Sequence, residues 1–366
     1  MTPNDAEKER IANAEIVYVV APSGCGKSFT GDALAYLHGY EHVDGDYPFK
    51  HAAVSARNKE LGYGFLKSFH TCLGNEEESD DVWTPFYEEI ATLTLQAAKT
   101  SSKVVLSHAS YRQAYRECVV NKLIEGGAKR ENIKVLELRI DPDVKLTGLY
   151  YRTKAQMENS GITMEDTFKL QGWDGDGPFT VDDYKIFIKN NDPDYAGNAA
   201  MKDIPEGYGA IVDVSSRDMT CIDRIEMALG LDAKDRNVEY QKFLSYDELR
   251  DKLQEVDQAR DKEFADNGSQ VVFGEMWSEI TGNKNHLTAA TDLDGDDDGE
   301  EEKENKKELM RRRRSSIASV EFLSSELGRT SLASSNNDDG DTNTVRKMKA
   351  RRSSLITTGK IIESTT

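Results

Sequence analysis

The most constraining feature of the chain is a short apolar run, Ile-Val-Tyr-Val-Val at 16–20, that ends in the string APSGCGKS at 21–28. The run is β-branched and aromatic, and it reads as a buried strand. Beyond the string, Phe29, Ala33, Leu34 and Leu37 recur at helical spacing. A glycine-containing loop between a strand and a helix is the setting of a P-loop. The pattern G-x-x-x-x-G-K-[ST] fits here with Ala21 in the first position. Gly24 and Gly26 permit backbone conformations that let N–H groups converge on phosphate oxygens. The helix that follows aims its positive end at the same anion. Ser23, Gly24, Cys25, Gly26, Lys27, Ser28 and Phe29 are therefore the expected ATP-binding residues. Lys27 is expected to act on the β/γ-phosphates, and Ser28 to ligate Mg²⁺.

A second signal lies one helix downstream, where His42-Val43 leads into Asp44-Gly45-Asp46. In a doubly wound sheet this is the carboxyl end of the next strand, beside the phosphate loop. Asp44 is expected in the Mg²⁺ shell. Asp46 is expected to orient a substrate hydroxyl and take its proton. The competing reading is an ordinary Asp-Gly turn.

Further strands are expected at 103–107, 133–140 and 211–214, and helices at 86–98, at 111–125 and through Met227. Alternating strand and helix implies an α/β fold, a parallel sheet flanked by helices. The expected P-loop domain spans 15–235, after a polar N-terminal segment at 1–14. A glycine- and proline-rich stretch at about 152–210 reads as a mobile lid with an insertion. Residues 236–286 read as a helical extension, with Phe243, Tyr246, Leu249 and Leu253 on its apolar side. Residues 287–366 hold an acidic block at 292–302, a basic one at 311–314, and much serine and asparagine. Such a segment buries too little apolar surface to offset its ordering entropy, so it reads as a disordered charged tail.

Taken together, APSGCGKS, the Asp-Gly-Asp turn, SHASYRQAYR at 107–116 and LELRIDPD at 136–143 resemble the gluconate kinase (gluconokinase) family of P-loop small-molecule kinases. The resemblance covers roughly 14–230, apart from 153–210. It implies a nucleoside-kinase-like P-loop NTPase fold, ATP and Mg²⁺. It further implies phosphoryl transfer to a hydroxyl of a small polyol or sugar acid such as gluconate, often in a homodimer. Arg116 matches the family's Tyr-Arg pair and is implied to hold an anionic substrate group. Arg152 begins the lid and is expected to neutralise transition-state charge on closure. Three departures stand out. Tyr47-Pro48 replaces His-Pro after the Asp-Gly-Asp turn, the stretch before Trp83 lacks an arginine, and no His-Phe follows Arg152 and Lys154. Shikimate kinases also pair a P-loop with an Asp-x-Asp turn. A shikimate- or nucleotide-type kinase therefore stands as an alternative, as does a nucleotide-binding regulatory protein with a degenerate kinase domain. His108 is open between substrate contact and a structural role. Cys25, at the helix N-terminus, is a candidate for an acidified, redox-sensitive thiol.

The formal net charge of −19 argues against nucleic-acid partners, because an acidic chain is repelled by phosphate backbones. No run of about 18 apolar residues occurs, so no membrane span is expected. The four cysteines, Cys25, Cys72, Cys118 and Cys221, form no CxxC pair. Neither a zinc site nor a disulfide framework is expected, which fits a reducing, cytoplasmic setting. The first 15 residues are polar and mixed in charge, unlike a targeting segment. The pattern starting at Asp294 begins like a calcium loop. Its twelfth position is Asn305, so it reads as a solvated acidic run. In the tail, Arg-Arg-Ser-Ser-apolar occurs at 313–317 and 351–355. Ser316 and Ser354 are accordingly candidate targets of a basophilic protein kinase.

Overall fold

The computed structural model describes residues 3–73, 80–159, 163–170, 172–191, 209–237 and 245–281. Five strands form one sheet: β1 (Glu15–Val20), β2 (Glu41–Asp44), β3 (Lys103–His108), β4 (Ile133–Arg139) and β5 (Gly209–Asp213). All pairings are parallel, in the order β2-β3-β1-β4-β5. The apolar runs of β1, β3 and β4 follow from this placement. Inner strands of a parallel sheet are covered on both faces and have no polar side to show.

The described helices are α1 (Pro3–Asn13), α2 (Lys27–His38), α3 (Tyr47–Lys50), α4 (Ala56–Leu73), α5 (Asp80–Ala98) and α6 (Gln113–Glu125). They continue with α7 (Pro142–Asn159), α8 (Met164–Leu170), α9 (Val181–Asn191), α10 (Met219–Leu229), α11 (Tyr246–Asp266) and α12 (Ser269–Thr281). On one sheet face, Ile16, Tyr18, Leu106 and Val135 pack with Phe65, Phe86, Val119 and Leu123 of α4, α5 and α6. On the other, Val17, Val19, Val105 and Leu136 pack with Leu34, Cys221 and Ile225 of α2 and α10. The helix after β1 and the helix after β3 thus lie on opposite faces. Their loops part above the neighbouring ends of β1 and β3, the point where open α/β sheets form a crevice.

Two expected segments take definite form. The stretch expected to begin a mobile lid at about 152 is the second half of α7, which starts at Pro142. With α8 and α9 it builds a separate small core containing Leu149, Met157, Phe168, Phe179, Tyr184 and Ile188. The Tyr150 hydroxyl donates to the Phe179 carbonyl at 2.8 Å within it. Residues 160–162, 171 and 192–208 of the expected insertion lie outside the described residues. The helical extension, in turn, shares its packing with the sheet domain. Leu249 and Leu253 of α11 pack on Ala33, Tyr36 and Leu37 of α2. From α12, Phe273, Met276 and Trp277 enter the main core beside Phe49 and Phe65. A capping box between Ser245 and Glu248 starts α11. Phe243 and the tail with Ser316 and Ser354 lie outside the described residues. Among the described residues no helix is long and apolar enough to cross a membrane.

Trp277 is fully buried in that shared core. Trp277→Ala is expected to lower stability by about 3–5 kcal/mol, the usual cost of deleting a buried large aromatic. Urea denaturation of the full chain should show one shifted transition. An unshifted main transition, with only a minor early phase lost, would contradict a shared core.

Candidate functional site

The loop at 21–28 leaves the centre of the sheet and enters α2 directly. Gly24 and Gly26 have φ of 79° and 84°, the left-handed region that side chains resist. Gly24 is required twice over, because a Cβ there would come within 2.9 Å of the Leu149 side chain on α7. The loop is also braced from the β3 side. Tyr111 Oη lies 3.2 Å from Ser23 Oγ, and the Ser23 N–H points to it at 3.4 Å.

Cations gather on the α7 side. Lys145, Leu149 and Arg152 lie at helical i, i+4 and i+7, so Leu149 leans on Gly24 with a cation on either side. Lys145 is almost fully buried. Lys27 donates from Nζ to the Pro22 carbonyl at 3.0 Å. Burial pulls its pKa below the ordinary lysine value, and the nearby Arg152 and Lys145 charges add to the shift. Arg217, after β5, takes a positive φ of 48°, and its guanidinium lies over Gly148 of α7. Burial likewise pushes the Cys25 thiol up, and Lys145, Lys27 and Arg217 do not offset it. The expectation of an acidified Cys25 is therefore corrected, because desolvation outweighs three neighbouring cations.

Carboxylates gather on the β2 side. Gly45 brings the backbone so close to β3 that a Cβ would lie 2.6 Å from His108 Cβ and 2.9 Å from the Ser107 carbonyl. This proximity sets Asp46 Oδ1 3.1 Å from His108 Nδ1, which donates to it. The His108 ring sits among Phe65, Phe86 and Tyr87, with centroids 5.0–5.6 Å away. Its Nε2 has no hydrogen-bond partner among the described residues. His108 therefore orients Asp46 from behind.

Asp44 is placed differently from expectation. Its Oδ1 accepts the Asp46 N–H at 3.1 Å, and its Oδ2 accepts from Lys50 Nζ at 3.1 Å. Arg260 Nη1 of α11 lies 3.6 Å from the same Oδ2. With both oxygens engaged by protein groups, Asp44 anchors the turn. Arg116 is also reassigned. Its side chain is fully buried and donates from Nη1 to the Ser110 and Tyr111 carbonyls at 2.9 and 3.1 Å. It shapes the loop that carries Tyr111 and reaches no open crevice.

Arg260 ties these parts together. It is paired with Asp32 of α2, and Asp32 in turn accepts from His42 Nδ1 at 2.7 Å. The second His42 nitrogen lies 2.8 Å from Ser107 Oγ. Lys145, Arg217, Tyr111 and Arg260 were not singled out in the sequence. The i, i+4, i+7 stripe of Lys145, Leu149 and Arg152 was the one local signal for any of them. No protein-family model matches the chain, and no curated protein sequence matches it.

Burial works to raise the Asp32 carboxyl, but Arg260 and His42 outweigh it and hold it below its ordinary value of 3.8. A depressed carboxyl contributes stability that is present above its unfolded value and lost as pH falls through the folded one. Denaturation free energy should therefore fall as pH drops below about 3.8, with a shallower acid slope in Asp32→Asn. Equal slopes in the two proteins would contradict the pairing.

Proposed function

We propose that the chain is an ATP-dependent phosphotransferase that phosphorylates a hydroxyl of a small molecule, with 21–28 as a P-loop. The observation that carries this reading is the convergence on one loop of two left-handed glycines, a helix N-terminus and three cations, Lys27, Lys145 and Arg152. Such a loop suits a polyphosphate. Backbone N–H groups and the helix dipole receive the anion, and fixed cations offset the charge it develops. Mg²⁺ bound with the nucleotide, with Ser28 as its protein ligand, would neutralise phosphate charge.

The acceptor side is read from Asp46. The P-loop holds the γ-phosphoryl group, so a hydroxyl must approach in line from the opposite side. Asp46 is close enough for its charge to act on Lys27, yet it sits on the β2 side of the crevice. With its Oδ1 held by His108, its Oδ2, 3.9 Å from Lys50 Nζ, is the oxygen to orient an incoming hydroxyl and take its proton. Arg152 lies near Lys27 and suits the transferring phosphoryl group. A sugar acid such as gluconate is the acceptor class that the sequence resemblance suggests. In the tail, Ser316 and Ser354 remain proposed sites for a basophilic kinase.

A screen for ADP release over sugar acids, polyols and nucleotides tests the reading. Lys27→Ala should then lower turnover by at least about 10²-fold, the scale of one lost charge-stabilising donor, while the melting temperature is kept. Turnover within about tenfold of wild type, or ~1.4 kcal/mol, would sink the assignment.

Asp46→Asn keeps shape and removes charge. It is expected to lower kcat by about 10²–10⁴ with unchanged ATP affinity. Nucleotide titration beside steady-state kinetics decides this. Lost ATP affinity with normal kcat would make the Asp-Gly-Asp segment merely a turn.

A further inference from the structure

The segment from Asp44 to Ala53 holds the proposed acceptor-side carboxylate, and the C-terminal helix pair grips it along its whole length. Arg260 Nη1 stands 3.6 Å from Asp44 Oδ2. Glu263 Oε1 lies 3.2 Å from His51 Nε2. Asn267 Nδ2 donates to the Lys50 carbonyl at 3.1 Å, and the Ala53 N–H donates to Ser269 Oγ at 3.0 Å. Beneath them the Phe273 ring packs on the buried Phe49 ring at 5.5 Å. Successive contacts from two helices thus fall on one ten-residue stretch. Two of them are made to its backbone, so they fix the path of the chain and not only its side chains.

Arg260 does more than hold the segment. Its other partner is Asp32 on α2, the helix that begins at Lys27. One guanidinium therefore spans the helix of the glycine loop and the base of the Asp-Gly-Asp turn. The path onward to Asp46 is short. The Asp46 N–H donates to Asp44 Oδ1, and Lys50 Nζ reaches Asp44 Oδ2 at 3.1 Å and Asp46 Oδ2 at 3.9 Å. Packing alone does not call for this arrangement. A buried ion pair typically contributes little more to stability than well-packed apolar residues, whereas its geometry is exacting. Apolar residues at 32 and 260 would dock α11 without setting any distance to Asp44.

We infer that α11 and α12 form a built-in clamp on the acceptor side of the site, with Arg260 as the positioning residue that fixes Asp46 relative to the glycine loop. This inference rests on the phosphotransferase reading. The sequence resemblance ends near residue 230, so the clamp lies beyond the part of the chain that carries it. Arg260 touches no reacting atom and acts through Asp44. Its signature is a split between acceptor and nucleotide parameters, since a small misplacement of a catalytic group costs turnover steeply.

The test uses the full chain with two variants. Arg260→Lys keeps the charge but cannot fork between Asp32 and Asp44. The double variant Asn267→Ala with Ser269→Ala leaves the buried charges intact and removes both backbone contacts, which keeps the test alive should Arg260→Lys fail to fold. Kinetics with the acceptor found by ADP release are measured beside titration with MgATP. The expected result is a loss in kcat/KM for the acceptor of about tenfold to a hundredfold, with kcat sharing the loss and MgATP affinity within twofold of wild type. Wild-type acceptor kinetics in a folded variant would overturn the inference, as would MgATP affinity falling in step with kcat. If the wild-type chain itself turns over no acceptor, the phosphotransferase reading fails first and the clamp falls with it. If wild type turns over and both folded variants match it, only the clamp is overturned.

Discussion

The buried guanidinium of Arg260 is the interaction on which the arrangement of the molecule most depends. Asp32 and Asp44 are both buried beneath α11. A buried carboxylate without a cation is costly enough that breaking such a pair typically destabilises by about 3–5 kcal/mol. Lys50 serves Asp44, but among the described residues only Arg260 and His42 serve Asp32. Asp32 therefore draws its guanidinium partner from outside the sheet domain, and the docking of α11 supplies it. The same pairing places α12, which follows α11 directly and delivers Trp277 to the core. A segment that reads as an appendage is thereby tied into the interior by charge first and by apolar area second.

That constraint divides the site electrostatically. On the α7 side Lys27, Lys145 and Arg152 face the glycine loop. On the β2 side the charges of Asp32, Asp44 and Asp46 are met by Arg260 and Lys50. Close to one another in a region of low effective dielectric, these two sets would collapse into direct pairs unless backbone geometry held them apart. Gly24 against Leu149 sets one wall, and Gly45 against His108 sets the other. Each wall rests on a glycine at a close approach where a Cβ would collide. The hydrogen bond from His108 then orients Asp46.

What was legible in the sequence followed the range of the interactions involved. The strands at β1 and β3 are largely apolar runs, β4 is an apolar stretch interrupted by Lys134 and Glu137, and α2 carries a clear helical period, so all were readable. The glycine loop was readable because all its determinants lie within eight residues. Helix α4 has no counterpart among the expected helices, and it contains Gly62 and Gly64. In the structure they are sites of close approach, Gly62 to Phe49 and Gly64 to the Val82 carbonyl. Helix α5, expected over 86–98, starts at Asp80 and accommodates Pro85. The α8–α9 region was read from its glycines and prolines, and its aromatic residues, Phe168, Trp173, Phe179 and Tyr184, were passed over although they form a core. Arg260 and Asp32 are 228 positions apart. Each looks like an ordinary charge on a helix surface until the two are brought together. The same holds for Arg116, whose adjacency to a tyrosine suggested ligand binding but whose partners are carbonyls five and six residues back.

The resting contact of Lys27 bears on how the proposed site would take up its ligand. Its ammonium donates to the Pro22 carbonyl, a neutral acceptor within its own loop. A phosphate oxygen is a charged acceptor, and charge-assisted hydrogen bonds are roughly twice as strong as neutral ones. Exchange of one partner for the other is therefore favourable, and little rearrangement is needed because the carbonyl and the anion site belong to the same loop. The cost of this readiness is already visible in the ammonium, whose pKa is lowered by burial and by two cationic neighbours. An arriving anion relieves both effects, since it pairs the buried charge and screens Lys27 from Lys145 and Arg152.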